Sequence, residues 1–362
     1  MRLVAPTTFL AVLAVALAAA APRPASAIPV FAHRYGLTCG ACHTTVPRLN
    51  ENGEAFEAHG YRMLAARPGR VFPIAIKAAL AYGSTAEDGL PKAIVDEVEA
   101  LAGGSIGKRG AYFAEQYIID GGKPGRTRDL WAGWRTTQDG ALNPVWLRAG
   151  QQSVALPVDV ETMRETPLHY AIFDQTAGEN PFSFFDPKTG VTAAFGREYG
   201  LSAQAAAVQG HERGSGLPVS GVDRSILMQH GRENAVFSVY RYDGTRQLGA
   251  ADRFWRQGYG AILRNERAEV SAIYQHGRDS AALGGAPLRS SGGFVQLRYV
   301  ISDRAFGIVR YEGTQDTEFL RRATAGVGYR LARNMRLAVF DAAARKDGAM
   351  THTLQTSLLF AY

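Results

Sequence analysis

The sequence is short of cysteine and of long apolar runs, and each shortage excludes a class of protein. Only two of the 362 residues are cysteines, so a multi-disulfide scaffold and a four-cysteine zinc site are excluded. After the first 27 residues, no stretch approaches 18 consecutive apolar residues, so the chain is not a helical membrane protein. The net charge is +7, but no run of five lysines or arginines occurs, which argues against nucleic-acid binding.

Residues 1–27 have the composition of an export signal. A positive start is followed by an apolar run from Phe9 to Ala21 and by the small-residue pattern Ala25-Ser26-Ala27. We therefore expect cleavage after Ala27. An uncleaved membrane anchor is the alternative, and it is disfavoured because the apolar run is short for a span.

Cys39-Gly40-Ala41-Cys42-His43 is a C-x-x-C-H motif, the attachment sequence of a c-type haem. In such a site the two thiols form thioethers to one haem and the histidine is the proximal ligand of its iron. A thioredoxin-like redox pair would need βαβ surroundings, which are missing. A zinc site would need four ligands, and a disulfide between the cysteines would leave the histidine without a role. The motif therefore predicts one covalent haem c.

The second axial ligand of the iron is predicted from a helical segment after the motif. Phe56, His59 and Met63 recur at helical spacing and share one face. Met63 is the predicted distal ligand, with His59 as the main alternative and His33, before the motif, as another. The haem segment, residues 28–70, is too small to cover both faces of a haem, so we expect the rest of the chain to supply the cover.

Residues 71–362 alternate between apolar and polar side chains, which is typical of half-buried strands. In residues 321–331, for example, Ala325 and Val327 share one face, whereas Arg322 and Thr324 share the other. The pattern predicts sixteen antiparallel strands forming a transmembrane β-barrel with an apolar outer face and a polar lumen. A soluble β domain whose polar face meets water is the alternative. The predicted strands are 73–83, 94–106, 111–120, 128–137, 144–154, 190–197, 201–210, 224–231, 235–243, 257–265, 267–277, 293–302, 304–313, 321–331, 334–345 and 351–362.

Residues 155–190 alternate poorly and contain several prolines and aromatic residues. We expect this segment to be a long loop or short helix that folds into the barrel or caps it. Five arginines are predicted to face the lumen, where they form either an anion-selective lining or pairs with Glu312 and Asp341 that rigidify a plugged barrel. These arginines are Arg298, Arg310, Arg322, Arg330 and Arg336.

The run from Phe31 to His43, with Pro47-Arg48-Leu49-Asn50 and the stretch from Phe56 to Met63, resembles the N-terminus of the fused outer-membrane cytochrome–porins of iron-oxidising bacteria and their relatives. The resemblance implies a single-haem segment that plugs a sixteen-stranded barrel, in its lumen or at its periplasmic side. Cys39 and Cys42 would bind the haem, His43 would be the proximal ligand and Met63 the distal one.

The resemblance also implies a function. An extracellular donor such as Fe(II) would pass electrons through the haem to a periplasmic c-type cytochrome or another soluble carrier, so that the protein acts as an iron(II):cytochrome c oxidoreductase in the outer membrane. Two alternatives stay open. One is an ion or substrate porin whose haem segment is a structural or sensory plug, and the other is a soluble periplasmic electron carrier.

The first testable prediction concerns the two thiols. Replacing both, as Cys39→Ala with Cys42→Ala, removes both predicted thioether bonds, so no haem should stay on the chain after denaturation. Haem staining of a denaturing gel measures this, with the wild-type chain made in the same haem-maturation host as the reference. A wild-type band without haem would contradict the prediction.

Overall fold

The computed structural model places most of the chain after residue 74 and parts of the segment before it. The predicted signal, residues 1–27, and the residues Cys39, His33, His59 and Met63 lie outside the part that is described. The structure describes residues 31, 35, 37, 41–45, 48–58, 61, 74–84, 91–137, 145–160, 162–196, 200–210, 221–232, 234–248, 250–332 and 334–361.

The described part of the predicted haem segment, residues 28–70, contains two short strands, β1 (His43–Thr45) and β2 (Arg48–Leu49), followed by helix α1 (Glu51–Ala58). The first two pair with each other and not with the barrel. Within the described residues, no helix is long and apolar enough to span a membrane.

Sixteen antiparallel strands form one closed barrel, because the last strand pairs with the first. A further two-residue strand, β6 (Lys123–Pro124), pairs antiparallel with the last two residues of β5. The barrel strands are β3 (Ile74–Ser84), β4 (Pro91–Ile106), β5 (Gly110–Asp120), β7 (Thr127–Arg135), β8 (Val145–Gln152), β9 (Lys188–Gly196), β10 (Gly200–Gly210), β11 (Asp223–Arg232), β12 (Ala235–Leu248), β13 (Ala250–Arg264), β14 (Ala268–Leu283), β15 (Ala286–Ser302), β16 (Ala305–Gln315), β17 (Phe319–Ala332), β18 (Met335–Lys346) and β19 (Ala349–Ala361).

The predicted number, order and approximate positions of the sixteen strands are confirmed. The largest differences are at two hairpins, that of β12 and β13 and that of β14 and β15. In the second, the strands run to residues 283 and 286 and not to 277 and 293. Only Gly284 and Gly285 remain as the turn, and both have positive φ, which glycine adopts without steric cost. The ladder therefore continues through sequence that alternates too weakly to be recognised as strand.

The outer face of the barrel is apolar and the inner face is polar, as predicted. Along β15, Val295 and Leu297 are exposed, whereas Gln296 and Arg298 between them are buried in the lumen. Aromatic and aliphatic side chains continue this exposed surface around the barrel, for example Leu130, Phe237, Tyr274, Val309 and Val327. Such a surface is stable against lipid and unfavourable in water, which favours the membrane barrel over the soluble β domain.

The connection between β8 and β9, residues 153–187, folds into the barrel, so the first of the two predicted arrangements is confirmed. We call it the inward segment; it contains the short helix α2 (Ala171–Asp174). Its apolar side chains form one buried cluster with the lumenal faces of β10 to β15. The contributing residues of the inward segment are Val154, Leu156, Val158, Val160, Met163, Tyr170, Ile172, Phe173, Phe182 and Phe184.

The two ends of the barrel differ in what enters them. We call the end where β3 begins and β19 ends the proximal end, and the opposite end the distal end. Because neighbouring strands are antiparallel, the connection after β8 leaves the barrel wall at the distal end. The inward segment therefore enters the lumen from the distal end.

The second testable prediction concerns the outer face. Val309 lies midway along β16 and is 58% exposed on the outer face. Val309→Arg should lower the free energy of unfolding from lipid vesicles by about 2–4 kcal/mol, because a charge at the bilayer midplane is poorly solvated. Met350→Arg, beside the β18–β19 turn and 60% exposed, is the control and should cost at most about 1 kcal/mol. Equal costs in a urea titration would argue against a bilayer around the barrel.

Candidate functional site in the barrel lumen

The described half of the C-x-x-C-H motif is held against helix α1. The backbone carbonyl of Cys42 accepts a hydrogen bond from the Asn50 amide at 2.9 Å. The Asn50 side chain in turn accepts one from the Gly53 amide at 3.0 Å, which is the usual cap of a helix N-terminus. A Cβ at Gly53 would lie 2.1 Å from the Cys42 oxygen, so only glycine lets the helix approach the motif this closely.

The chemistry of Cys42 and His43 fits a covalent haem. The Cys42 thiol is free and half-buried, and burial raises its pKa, so the uncharged thiol is favoured. His43 is 7% exposed at the start of β1, next to that thiol in sequence. Cys39 and all three candidates for the second axial ligand lie outside the described residues, so the remaining attachment and the choice of Met63, His59 or His33 stay predictions. The described residues contain no group of three His, Cys, Asp or Glu side chains placed to hold a metal ion.

Aromatic side chains of the haem segment pack on the lumenal wall near the proximal end. The Tyr61 ring stacks on Phe113 of β5 and on Trp131 of β7, with centroid separations of 5.2 and 5.9 Å. The Phe31 ring also stacks on Tyr61, with ring centroids 4.9 Å apart. Phe56 of α1 meets the Phe31 and Tyr61 rings edge-on. Tyr61 has φ of +59°, a conformation that costs a non-glycine residue about 1–2 kcal/mol and that the aromatic packing offsets. These contacts join the described part of the segment to the barrel wall.

A second contact reaches the opposite wall. Arg48 of β2 forms a buried ion pair with Glu269 of β14. The strand β14 is eight positions from β5 in a barrel of sixteen, so the two lie diametrically opposite. Described residues of the N-terminal segment therefore contact opposite sides of the barrel wall near its proximal end.

The Glu269 contact belongs to a chain of charges that joins three parts of the molecule. Glu269 is in register with Arg298 of β15. The Arg298 guanidinium is paired with Glu165 of the inward segment, with Nε 2.5 Å from Oε2. The order Arg48, Glu269, Arg298, Glu165 thus links the haem segment, the wall and the inward segment by alternating charges in a buried setting.

Glu312 of β16 fixes the middle of the inward segment. Its carboxylate pairs with Arg310 at 3.0 Å and with Arg322 of β17 at 2.8 Å. It also accepts a hydrogen bond from the Ala171 amide, the first residue of α2, at 2.7 Å. Arg310 then donates to the Leu168 carbonyl at 3.0 Å. Of the two arginine interpretations, the paired one is confirmed for these two residues.

The prediction for Asp341 is wrong. We expected it to be a second lumenal partner for the arginines, but it is exposed on the outer face of β18, on the same side as Val339. A strand turns alternate residues to opposite faces, so an odd-numbered residue of β18 cannot join the lumenal arginine at position 336.

Asn180 fixes the tip of the inward segment at the distal end. Its fully buried amide nitrogen donates to Asp252 of β13 at 2.9 Å and to Asp279 of β14 at 2.8 Å. Its carbonyl oxygen accepts from the Phe182 amide at 2.9 Å. The side chain thereby bridges two strands of the wall, which argues for a fixed plug and against a freely moving loop.

His169 is a lumenal histidine that is uncharged in the folded protein. It lies in the inward segment and stacks on Phe185 with ring centroids 3.9 Å apart. Burial, together with the positive charges of Arg164, Arg128 and Arg322, lowers the pKa of His169 well below its ordinary value. The imidazole is therefore neutral at neutral pH, and a group that titrates this way adds no charge to the lumen.

Sequence reasoning missed the partners Arg48, Glu165 and Glu269. One signal could have indicated the last of these. Glu269 is a charged residue near the start of an alternating strand, on the face that points to the lumen. A buried charge in a barrel wall requires a partner. The partner, 221 residues away in sequence, is not accessible to a reading of local pattern.

Comparison with known proteins shows the fold. No family model and no curated protein sequence matches the chain. Among solved structures, the chain is similar to the anion-selective porin from Comamonas acidovorans, with a TM-score of 0.65 and 12% identity over 81% of this chain and 99% of that one. The OmpF complex with daunomycin from Salmonella typhi gives a TM-score of 0.60 and 12% identity over 80% and 97% of the two chains. The outer membrane channel DcaP of Acinetobacter baumannii gives 0.59 and 11% over 80% and 96%. The chain thus has the fold of a sixteen-stranded porin.

The third testable prediction concerns Glu312. Glu312→Gln leaves Arg310 and Arg322 without their shared carboxylate and should lower the free energy of unfolding by about 3–5 kcal/mol, because the uncompensated charge stays buried. Glu318→Gln is the matched control, since it breaks the exposed pair with Lys346 and should have almost no effect. Urea titration of both variants in lipid vesicles measures the difference. Similar losses would mean that the lumenal pair is hydrated.

Proposed function

We propose that the protein is an outer-membrane electron-transfer protein with one c-type haem enclosed by its porin-like barrel. The haem would be attached at Cys39 and Cys42 with His43 as its proximal ligand and Met63 as the distal ligand. The observation that carries the proposal is the pair of contacts of the haem segment. Tyr61 contacts one wall of the barrel and Arg48 the opposite wall, which supports a position of the nearby motif in or at the lumen. The sequence resemblance to the fused cytochrome–porins supports the same arrangement.

The inner surroundings suit a redox group better than a channel. When bound, the haem supplies a one-electron couple of its iron. The inward segment occupies the lumen, described residues of the N-terminal segment pack on its wall, and the arginines Arg298, Arg310 and Arg322 are paired with carboxylates. An electron crosses packed protein, whereas a hydrated ion requires an open path. The buried surroundings also exclude water from the neighbourhood of His43, which tunes the potential of a bound haem.

The direction proposed is from outside to inside. An extracellular one-electron donor such as Fe(II) would reduce the protein at the distal end, and a periplasmic c-type cytochrome would accept the electron at the proximal end. The export signal predicted for residues 1–27 supports this location, since it would take the chain out of the cytoplasm. The apolar outer surface supports insertion in a bilayer.

The fourth testable prediction is electron transfer across a vesicle wall. Purified protein is inserted into lipid vesicles that enclose an oxidised soluble c-type cytochrome, and Fe(II) is added outside. The enclosed cytochrome should be reduced at a rate proportional to the amount of haem-loaded protein. The variant carrying Cys39→Ala and Cys42→Ala should leave it oxidised, and vesicles that enclose an Fe(II)-binding dye test for leakage of iron.

A porin is the second candidate, because an anion-selective porin is among the proteins with the same fold. Planar-bilayer conductance separates the two. The electron-transfer proposal predicts little or no ion current through the wild-type protein. A steady anion current together with an enclosed cytochrome that stays oxidised would overturn it in favour of the porin.

A further inference from the structure

A groove of about 890 Å³ crosses the outer face of the barrel on β7 to β10. We call it the alanine groove, because small side chains form its floor, whereas large ones such as Phe237 and Tyr274 cover other parts of this face. Two neighbouring rows of residues in register build the floor. They are Ala132, Ala149, Val191 and Ala207 in one row and Ala193 and Ala205 in the next. In a bilayer, this space against the wall takes an apolar chain.

The alanine groove ends at a cation. Arg224 of β11 lines the groove and lies in register with Ala207. It is exposed on the outer face, since the residue before it, Asp223, is buried on the lumenal side. Arg224 is the second residue of β11, which begins at the distal end of the barrel. The groove therefore runs obliquely across the wall for about 19 Å, from β7 to the distal end of β11.

Beyond Arg224, the same row of residues in register becomes positively charged. On β12 to β15 it consists of Asp243, Trp255, Arg278 and Arg289. The Asp243 carboxylate is paired with Arg241, with Nη2 2.7 Å from Oδ1. The Arg241 guanidinium also lies over the Trp255 ring, 5.0 Å from its centroid. Four arginines thus share one carboxylate on this part of the outer face, and the excess positive charge favours an anion from outside the protein.

Two tyrosines indicate the depth of this charged row in a membrane. Tyr259 of β13 and Tyr274 of β14 are in register and exposed on the outer face, four residues nearer the middle of the barrel than Trp255 and Arg278. Tyrosines of membrane barrels lie where the hydrocarbon meets the headgroups. Four residues are about 13 Å along a strand, or about 10 Å along the axis of a tilted strand. The charged row therefore lies at the level of lipid headgroups.

We propose that the alanine groove and Arg224 bind one anionic phosphate-bearing lipid, with an acyl chain in the groove and the phosphate at the guanidinium. The length of the groove is comparable with the half-thickness of about 15 Å that an acyl chain occupies in a bilayer. A guanidinium forms two parallel hydrogen bonds with a phosphate, and Arg278 and Arg289 add positive charge further along the row. Two copies of the chain that met by this face would oppose their own arginines, because a two-fold contact places the same patch on both sides. The site does not depend on a haem.

The test is a titration of the full-length protein in detergent with phosphatidylglycerol, followed by native mass spectrometry. Arg224→Gln should raise the dissociation constant about fivefold, the usual contribution of one arginine beside anionic headgroups. Arg321→Gln is the matched control. It removes an exposed arginine from the same end of β17, six strands from β11 and beyond the screening length of about 10 Å, so the constant should change less than about twofold. Equal constants for the two variants would overturn the proposal.

A second pair of variants tests the groove itself. Ala205→Trp fills the groove without a change of charge and should weaken phosphatidylglycerol binding severalfold, because the acyl chain loses its contacts with the wall. Ala325→Trp, at an exposed alanine on the outer face of β17, should bind the lipid like the wild type. If Ala205→Trp also binds like the wild type and inorganic phosphate displaces the lipid, the arginines bind a phosphate ion only and the proposal fails. If Ala205→Trp instead dissociates an oligomer and keeps its lipid affinity, the groove is a contact between copies of the chain, which also overturns it.

Discussion

A barrel of sixteen strands is too wide for its own side chains to fill, and the rest of the structure depends on this constraint. An open lumen would be an aqueous channel. Here the inward segment enters it from the distal end, and described residues of the N-terminal segment pack on the wall near the proximal end. Each brings aromatic side chains to one side of the wall, and the wall supplies complementary rings. Tyr61 against Trp131 and Tyr170 against Phe294 are the same solution on two sides of the lumen.

A filled lumen changes what charged residues cost. In water a lumenal arginine needs no partner, whereas in packed protein it must be neutralised locally. The wall carboxylates Glu269 and Glu312 do this for arginines from three different parts of the chain. Replacing such pairs by apolar residues of equal volume is often no less stable, so their value lies in register and position. They fix which face of each inserted segment meets which strand.

The strand pattern was predictable and the contacts between distant parts were not. Alternation such as that of Val295, Gln296 and Leu297 assigns faces because a strand has a period of two. The same reasoning identified the Glu312 partnership but misplaced Asp341. Arg336 and Asp341 lie on opposite faces of β18, yet both were assigned to the lumen. The partnership of Arg48 with Glu269 depends on how the barrel closes across its diameter, which no local pattern contains. Arg336 was assigned to the lumen correctly, yet no local pattern predicts that its Nε and Nη1 have no hydrogen-bond partner among the described residues.

The described contacts of the N-terminal segment have a consequence for the order of assembly. The aromatic contacts of Tyr61 are with β5 and β7, early strands of the barrel, whereas the Arg48 partner is on β14. These partner strands do not include the closing pair β3 and β19, so the contacts do not depend on the seam between them. Cys42 is half-buried in the folded chain. If the motif carries haem, attachment before closure of the barrel would leave this thiol more accessible to a maturation enzyme.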